Sequence, residues 1–313
     1  MTSNIGHWGL ALATAAGCAA ILAGCASGGG RVSAKAPERA PSGAARADRG
    51  LEGRASAFES FMRKAGAIDA GFSGPADVAA ALQVGAGYDP QELQAGMVAY
   101  AAVAALQEPR FVDGVRRASR GDLARRIAAD PAAALALPGA EAAAARAGGA
   151  LARQGDALAT DGRKVKQAAY SVQKHGWSKQ KVVNAPARLA RVKAISATGY
   201  RPAAGDQAQL YRAVADSGRR SGAPSPVIQR GVALAALSVL GEEGRGKALM
   251  SEARSGMCLK MAKLNLYQCL ASAGPHYEDV YCLGVHAMLE PASCVTDAVK
   301  GPKAGVQKAN WGR

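Results

Sequence analysis

The sequence predicts an all-α fold, with a multi-helix, bundle-like body followed by a disulfide-bridged helical hairpin at the C-terminal end. Apolar residues recur at helical spacing from about Leu51 onward. Alanine-rich sequence such as 139–174 has high helix propensity and few β-branched residues. No alternating apolar and polar run lies between hairpin turns. With 49% hydrophobic but only 5% aromatic residues, the core is expected to form by close helix packing, in about nine to eleven helices.

Proline and capping residues divide the body into successive helices. Phe58 and Phe61 fall on one face of a first helix, Gly74-Pro75 opens a second, and Asp89-Pro90 caps a third that ends near Glu108-Pro109. Later helices are expected from Asp122, after Asp130-Pro131, over 139–174, between 178 and 200, over 206–216, over 227–240 and through 248–300.

The N-terminus is typical of an export signal. An apolar stretch from Trp8 to Ala23 is too short for a comfortable transmembrane helix and ends in the tetrapeptide 22–25, which looks like a bacterial lipobox. Lipidation is therefore predicted at Cys25. Ala26 rather than Asp follows it, which by resemblance to other lipoproteins favours the outer membrane over the inner. Because residues 1–7 lack Lys and Arg, cleaved soluble export and an uncleaved anchor stay open as alternatives.

Composition shifts give the predicted organisation of the chain. Residues 1–24 form the signal peptide, and residues 25–53, rich in Gly, Ser, Pro, Ala and Arg, form a flexible basic linker. The alanine-rich helical body spans 54–250, the four-cysteine hairpin spans 251–300, and a basic tail spans 301–313.

An even set of four cysteines follows the body, which in an exported chain indicates disulfides. Cys258 and Cys269 lie about 16 Å apart on one helix, too far to bridge each other. In an antiparallel helix pair, facing positions have a nearly constant index sum. The pairs Cys269–Cys282 and Cys258–Cys294 satisfy this condition, and the crossed alternative does not.

One irregularity accompanies this nested pairing. Cys282 and Cys294 are twelve residues apart, about a third of a turn away from a common helix face. We expect Pro291 to break the second helix and bring Cys294 into place. The arrangement is similar to a twin Cys-x9-Cys hairpin, although the spacings here are x10 and x11, and the similarity carries no function.

A metal site is the competing hypothesis for the same region. Cys282 and His286 are four residues apart on a helix face, and His276, Glu278 and Asp279 lie in the preceding turn. This spacing matches no strong zinc pattern, so we expect disulfides, no metal and no cofactor.

Two motifs suggest enzymes but are incomplete. Residues 241–248 are nearly a phosphate-binding P-loop, yet Ala248 replaces the magnesium-binding hydroxyl, so a glycine-rich turn between helices is expected. Ser171 and Lys174 match the Ser-x-x-Lys of penicillin-binding proteins, but the partner motifs are missing. The sequence therefore offers no convincing catalytic residues, and a non-enzymatic protein is expected.

The net charge is +15, from 39 Lys and Arg against 24 Asp and Glu. Such an excess favours anionic partners. Residues 162–205 hold ten cations and no acid, with aromatic residues interleaved. Two interpretations stay open: an anion-binding surface, or a solvated face neutralised by acids such as Glu242, Glu278 or Asp279. The anion-binding candidates are Arg163, Lys164, Lys166, Lys174, Trp177, Lys179, Lys181, Arg188, Arg191 and Lys193.

Several stretches together carry a resemblance. They are the lipobox, 167–170 (QAAY), Gln173-Lys174, Trp177, 267–270 (YQCL), 276–279 (HYED) and Cys282. The chain resembles alanine-rich alphaproteobacterial envelope lipoproteins with a four-cysteine C-terminal region. This resemblance implies export and a paired-cysteine tail but no activity, substrate or catalytic residue.

The expected function is that of a non-enzymatic, periplasm-facing outer-membrane lipoprotein in envelope structure or assembly. The alternatives are a binding module for an anionic envelope glycan or lipid, and an enzyme acting on the cell wall. Other envelope proteins or an anionic polymer or lipid are the expected partners, and the compartment disfavours nucleic acid.

Overall fold

The computed structural model describes residues 50–199, 201–215 and 218–300, and these fall within one compact unit. The expected signal peptide, Cys25, most of the linker and the tail from residue 301 lie outside them. Thirteen α-helices occur in the described part: α1 Leu51–Gly66, α2 Pro75–Gly85, α3 Pro90–Leu106, α4 Pro109–Arg117, α5 Leu123–Ala129, α6 Ala140–Ser171, α7 Gly176–Lys179, α8 Ala185–Thr198, α9 Asp206–Ala215, α10 Pro226–Val239, α11 Ala253–Ser272, α12 His276–Cys282 and α13 Glu290–Val299.

Shorter helical segments complete the described chain. Three are 3₁₀ segments, Pro131–Ala136, Val172–Lys174 and Glu243–Met250, and one is a π-helical segment, Leu283–Leu289. Within these ranges the β-type pairing is limited to one isolated bridge, between Lys181 and Pro275. The predicted all-α class is thus confirmed. In the same ranges, no helix combines the length and the apolar character that crossing a membrane requires.

Helix α3 occupies the centre of the molecule. Every residue from Leu93 to Ala105 is buried, as expected for a helix that is apolar on all sides. Helices α1, α6, α10 and α11 pack around it. Two ring pairs, Phe58 with Tyr100 and Phe61 with Tyr88, supply the larger side chains, with ring centroids 5.2 and 4.8 Å apart.

Small residues let the neighbouring helices come close to α3. A Cβ atom on Gly96 would lie 2.9 Å from the Cβ atom of Phe58 in α1. A Cβ atom on Gly231 in α10 would lie 2.6 Å from that of Ala101. The core therefore owes its packing density to short interaxial distances, as the alanine-rich, aromatic-poor composition predicts.

Helix ends follow the expected capping chemistry at both termini. Asp89 caps α3, because its carboxylate accepts hydrogen bonds from the N–H groups of Gln91 and Glu92 at 2.8 and 3.0 Å. Gly241 ends α10 at φ +72°. Its N–H donates to the carbonyl of Ser238, and the next N–H donates to that of Leu237, which is a Schellman motif. The glycine-rich stretch 241–248 is accordingly a turn that leads into a 3₁₀ segment.

The C-terminal hairpin and its disulfides are as predicted. Helix α11 runs to a turn at 273–275, and the chain returns through α12, the π segment and α13. Disulfides join Cys258 to Cys294 and Cys269 to Cys282, with Cα atoms 5.6 and 5.7 Å apart. The hairpin is part of the common core, since α11 packs on α3 and α13 packs on α6.

The mechanism expected for Cys294 is wrong. Pro291 does not break the second helix: it lies just after the π segment, and the chain stays helical from His276 through Val299. The π segment instead accounts for the spacing of twelve residues between Cys282 and Cys294, since a π-bulge accommodates one extra residue in an α-helix. Eleven residues make about three α turns, so a spacing of twelve that includes one extra residue returns Cys294 to the face of Cys282.

Helix α4 was not expected. Glu108-Pro109 marks the end of α3, but Pro109 also occupies the first turn of the next helix, as proline favours. Phe111 and Val115 of α4 are buried. Helix α4 and the four-residue α7 raise the count in the described ranges above the expected nine to eleven.

We predict that Gly284→Ala destabilises the protein. A Cβ atom on Gly284, in the π segment, would lie 2.5 Å from the backbone nitrogen of Lys166 in α6. Separating these backbones is expected to lower the free energy of unfolding by about 1–3 kcal/mol, measured by urea denaturation. The control is Gly274→Ala, where no atom lies within 4 Å of the added Cβ. Equal stability of the two variants would contradict the close approach of the π segment to α6.

Candidate binding groove

Helix α8 carries the centre of the basic segment. Asn184 adopts a left-handed conformation at φ 55°, and its side-chain oxygen accepts a hydrogen bond from the N–H of Ala187 at 3.2 Å. Of the residues of α8, Val192 and Ser196 are buried. The helix therefore lies on the surface with most of its length exposed.

Arg188 fastens α8 to the C-terminal hairpin. Its guanidinium forms an ion pair with the buried Asp279 of α12 and donates to the carbonyls of Leu270 and Ala273 at the end of α11. Burial raises the pKa of Asp279 to about 6, although the guanidinium of Arg188 lowers it in part. Arg188 is thus engaged by groups of the protein and is not a free cation for a ligand.

The segment before α8 pairs with the hairpin turn. The N–H of Val182 donates to the carbonyl of Gly274 at 2.9 Å, and the N–H of His276 donates to that of Gln180 at 3.2 Å. These two bonds flank the isolated bridge at Lys181. They hold residues 180–182 against the hairpin, which leaves an open space between this segment, α8 and α2.

That space is a groove of about 570 Å³, which we call the α2–α8 groove. Its apolar lining includes Val78, Leu82, Val182, Val192 and Ile195. The charged lining consists of Lys181, Arg188 and Arg191 with one acid, Asp279, whose charge is met by Arg188. The neutral polar lining comprises Gln83, Gln180, Asn184 and His276. The size falls in the range of small-molecule sites.

Lys181 and Arg191 are the available cations of the groove. Both are exposed, and neither forms an ion pair within the described part of the chain. His276 is less suited to carry charge, because burial and the nearby Arg188 lower its pKa. An anionic group of a ligand would therefore be met by Lys181 and Arg191.

The other predicted candidates lie elsewhere. Arg163, Lys164 and Lys166 lie near the end of α6, where Lys164 pairs with Asp161 at 2.7 Å. Lys174, Trp177 and Lys179 follow in the 3₁₀ segment and α7, and Lys193 stands 5.7 Å from the ring centroid of Tyr267. Of the ten candidates, Lys181, Arg188 and Arg191 line the groove.

Trp177 is partly buried rather than presented to a ligand. Its ring packs on the hydrophobic core and lies 6.4 Å from the ring of His276, between centroids. The acids named in the neutralisation hypothesis also have partners: Asp279 pairs with Arg188, Glu242 with Arg245, and Glu278 accepts from the N–H of Gly274.

Lys263 of α11 was not anticipated from the sequence. It is buried, and its ammonium donates to the carbonyl of Ala86 at 2.9 Å and to the hydroxyl of Ser196 at 3.2 Å. Its nitrogen also lies 3.4 Å from the ring centroid of Tyr88. Burial lowers the pKa of Lys263 well below its ordinary value. Lys263 links α11 to α8 and to the end of α2, beneath the groove.

A second cavity, of about 620 Å³, contains carboxylates but presents no free pair of them. Glu52 accepts hydrogen bonds from Gln207 and Tyr211, and Glu243 accepts one from Ser238 at 2.7 Å. Burial and the neighbouring Glu52 raise the pKa of Tyr211 to about 12, so that its hydroxyl stays a donor. Both carboxylates thus accept hydrogen bonds from side chains of the protein.

The residues of the metal hypothesis have other partners. Cys282 is in a disulfide, and Nδ1 of His286 lies at hydrogen-bond distance, 2.8 Å, from Oε1 of Glu290. Among the described residues, no group of three or more His, Cys, Asp or Glu is placed to hold a metal ion.

Comparison with known proteins assigns no relative to the chain. No protein-family model matches it, no curated protein matches it, and no solved structure matches it. The site is therefore argued from its own residues.

We predict that Arg188→Gln destabilises the protein in a pH-dependent way. At neutral pH the variant leaves the carboxylate of Asp279 buried without a countercharge, which is expected to cost about 3–5 kcal/mol of unfolding free energy. Arg188 lowers the pKa of Asp279, which is about 6 in the parent, so the variant holds this carboxyl at a still higher pKa. The deficit should therefore shrink as the pH falls from the variant's pKa to about 6, where the carboxyl becomes neutral in both proteins, and stay constant below that.

Arg191→Gln is the matched control, because Arg191 lies on the same helix, is exposed and has no ion pair in the described residues. Its unfolding free energy should stay within about 0.5 kcal/mol of the parent. Urea denaturation at neutral and acidic pH measures both variants. A pH-independent loss in Arg188→Gln would contradict the assignment to Asp279.

Proposed function

We propose that this chain is a non-enzymatic, periplasm-facing outer-membrane lipoprotein that serves envelope structure or assembly by binding. Its ligand is an anionic amphiphile of the envelope, an acyl chain with a negatively charged head group. The observation that carries this proposal is the α2–α8 groove, where an apolar lining lies beside two exposed cations that have no ion-pair partner among the described residues.

The two kinds of lining explain why an amphiphile fits better than a polyanion. Val182, Val183 and Ile195 keep accessible surface in the groove, and this surface gains free energy when an apolar chain covers it, at roughly 25 cal/mol per Å². Lys181 and Arg191 offer charge, which contributes orientation and salt dependence. A polyanion would use the charge and leave the apolar lining exposed to water.

The paired cysteines support the proposed location outside the cytoplasm. Four of the six cysteines are paired in disulfides, which is typical of oxidising compartments. The lipobox predicts a lipid anchor at Cys25. The predicted flexible linker after it would allow the helical unit to extend away from the membrane surface.

We predict that the chain binds decyl phosphate, and that the combined Lys181→Gln and Arg191→Gln variant weakens this binding about tenfold. Two exposed charge interactions of about 0.5–1 kcal/mol each account for that factor. Isothermal titration calorimetry below the micelle concentration measures it, with higher salt expected to weaken the parent and not the variant.

Arg163→Gln combined with Lys174→Gln is the matched control, because it removes the same charge from outside the groove. Its affinity should equal that of the parent. Decyl maltoside and inorganic phosphate each supply one half of the ligand and should bind weakly. Equal losses in the two double variants would show that net charge, rather than the groove, determines binding.

The predicted lipidation and localisation have a separate test. We predict that protein extracted from membranes starts at an acylated Cys25 and holds four cysteines that resist alkylation until reduction. Intact mass before and after reduction measures both properties. An unprocessed N-terminus at Met1 would contradict the lipoprotein proposal while leaving the groove experiment unaffected.

A further inference from the structure

Helix α11 has a second apolar face that points to solvent. Met257, Met261 and Leu264 are 61, 45 and 44% exposed. Their spacing of i, i+4 and i+7 places them in one stripe about 10 Å long. The opposite face of the same helix already contributes Leu259 and Leu266 to the core, so folding does not require this stripe.

The clustering distinguishes these residues from ordinary surface apolar groups. Eight large hydrophobic side chains are exposed in the described ranges, and three of them form this stripe. The other five are Val84, Tyr170, Val183, Tyr211 and Tyr281. A contiguous exposed apolar stripe is typical of an interaction surface, whereas scattered single residues need no explanation.

Cations flank the stripe, and acids are absent from the helix. Residues 253–272 contain no Asp or Glu. Arg254 and Lys260 are exposed beside the stripe, and Lys193 of α8 stands over the ring of Tyr267 beyond its C-terminal end. None of these three cations has an ion pair in the described residues. Glu252 is the acid just before the helix, and its carboxylate accepts from the N–H groups of Arg254 and Ser255.

The two disulfides fix the stripe at both ends. Cys258 follows Met257, and Cys269 lies five residues after Leu264, so each end of the stripe is tied to the returning helix. The face is therefore presented as one rigid surface, and ordering it on a partner costs little conformational entropy.

We propose that this face, the α11 stripe with its flanking cations, docks on an anionic membrane surface. The unbranched, flexible side chains of Met257 and Met261 and the side chain of Leu264 enter the boundary between head groups and acyl chains. Arg254, Lys260 and Lys193 meet the phosphates. An anionic bilayer supplies an apolar phase and a continuous negative charge together, and both are needed to complement a face that combines an apolar stripe with cations. Glu290 of α13 lies beside the stripe, where its carboxylate accepts hydrogen bonds from Asn265 and contacts His286. This docking does not depend on the α2–α8 groove.

Vesicle sedimentation tests the docking without the lipid anchor. The protein is the chain from residue 25 onward with Cys25→Ser, which retains every described residue. We expect it to bind vesicles of phosphatidylglycerol and phosphatidylcholine, and to bind pure phosphatidylcholine vesicles at least about tenfold more weakly. The combined Met257→Ser, Met261→Ser and Leu264→Ser variant should lose at least about tenfold of the binding to anionic vesicles.

Two control variants make the experiment specific. Tyr170→Ser combined with Tyr281→Ser removes exposed aromatic surface outside α11 and should bind like the parent. Lys181→Gln combined with Arg191→Gln disables the proposed groove and should also keep vesicle binding, so that failure of one proposal is distinguishable from failure of the other. Urea denaturation shows whether each variant is folded.

Hydroxyl-radical footprinting of the full acylated protein supplies a second measurement. On anionic vesicles, oxidation of Met257 and Met261 should fall relative to zwitterionic vesicles, while Tyr211 should be unchanged. Parent binding that is absent, or equal in the stripe variant, would overturn the proposal. Protection without anionic lipid that grows with protein concentration would overturn it in favour of a protein partner.

Discussion

The close approach of helices to α3 is the constraint on which the rest of the structure depends. Its thirteen consecutive buried residues, Leu93 to Ala105, are mostly small, so cohesion comes from many short contacts rather than from a few large side chains. Helices α1, α10 and α11 are positioned by this approach. Helix α11 in turn carries both disulfides on its side of the hairpin, the buried Lys263 and the exposed stripe. A substitution that displaces α11 from α3 would therefore also displace the disulfides, Lys263 and the exposed stripe.

Helix α8 is held in a different way. It has two buried residues, and its main attachments are polar: Arg188 reaches Asp279 and the end of α11, and Ser196 receives Lys263. Polar anchors that lose solvation are costly, as the raised pKa of Asp279 and the lowered pKa of Lys263 indicate. Because these polar anchors hold α8 in place, residues on its outer surface need not be buried. Arg191 can therefore face the groove, three residues after Arg188, which holds the helix.

Local chemistry made much of the fold predictable from the sequence. Capping at Asp89-Pro90 and the disulfide pairing both follow from short-range spacing. The site was less predictable, because Arg188 and Arg191 look alike in sequence and differ through Asp279, about ninety residues away. The sequence does not indicate that α2 lines the groove, since Val78 and Leu82 resemble any other core residues. Lys263 interrupts the apolar spacing of α11, which was the one available sign of a buried amine.

The π segment also bears on how this hairpin tolerates insertions and deletions. The second helix holds one residue more than its bridges require, because a spacing of eleven would also align Cys282 with Cys294 in a regular α-helix. Loss of one residue from 283–289 would therefore convert the bulge to an α-helix and preserve the cystine pairing. The register of the disulfides is thus buffered against a one-residue length change, and the close contact of Gly284 with α6 is what such a change would disturb.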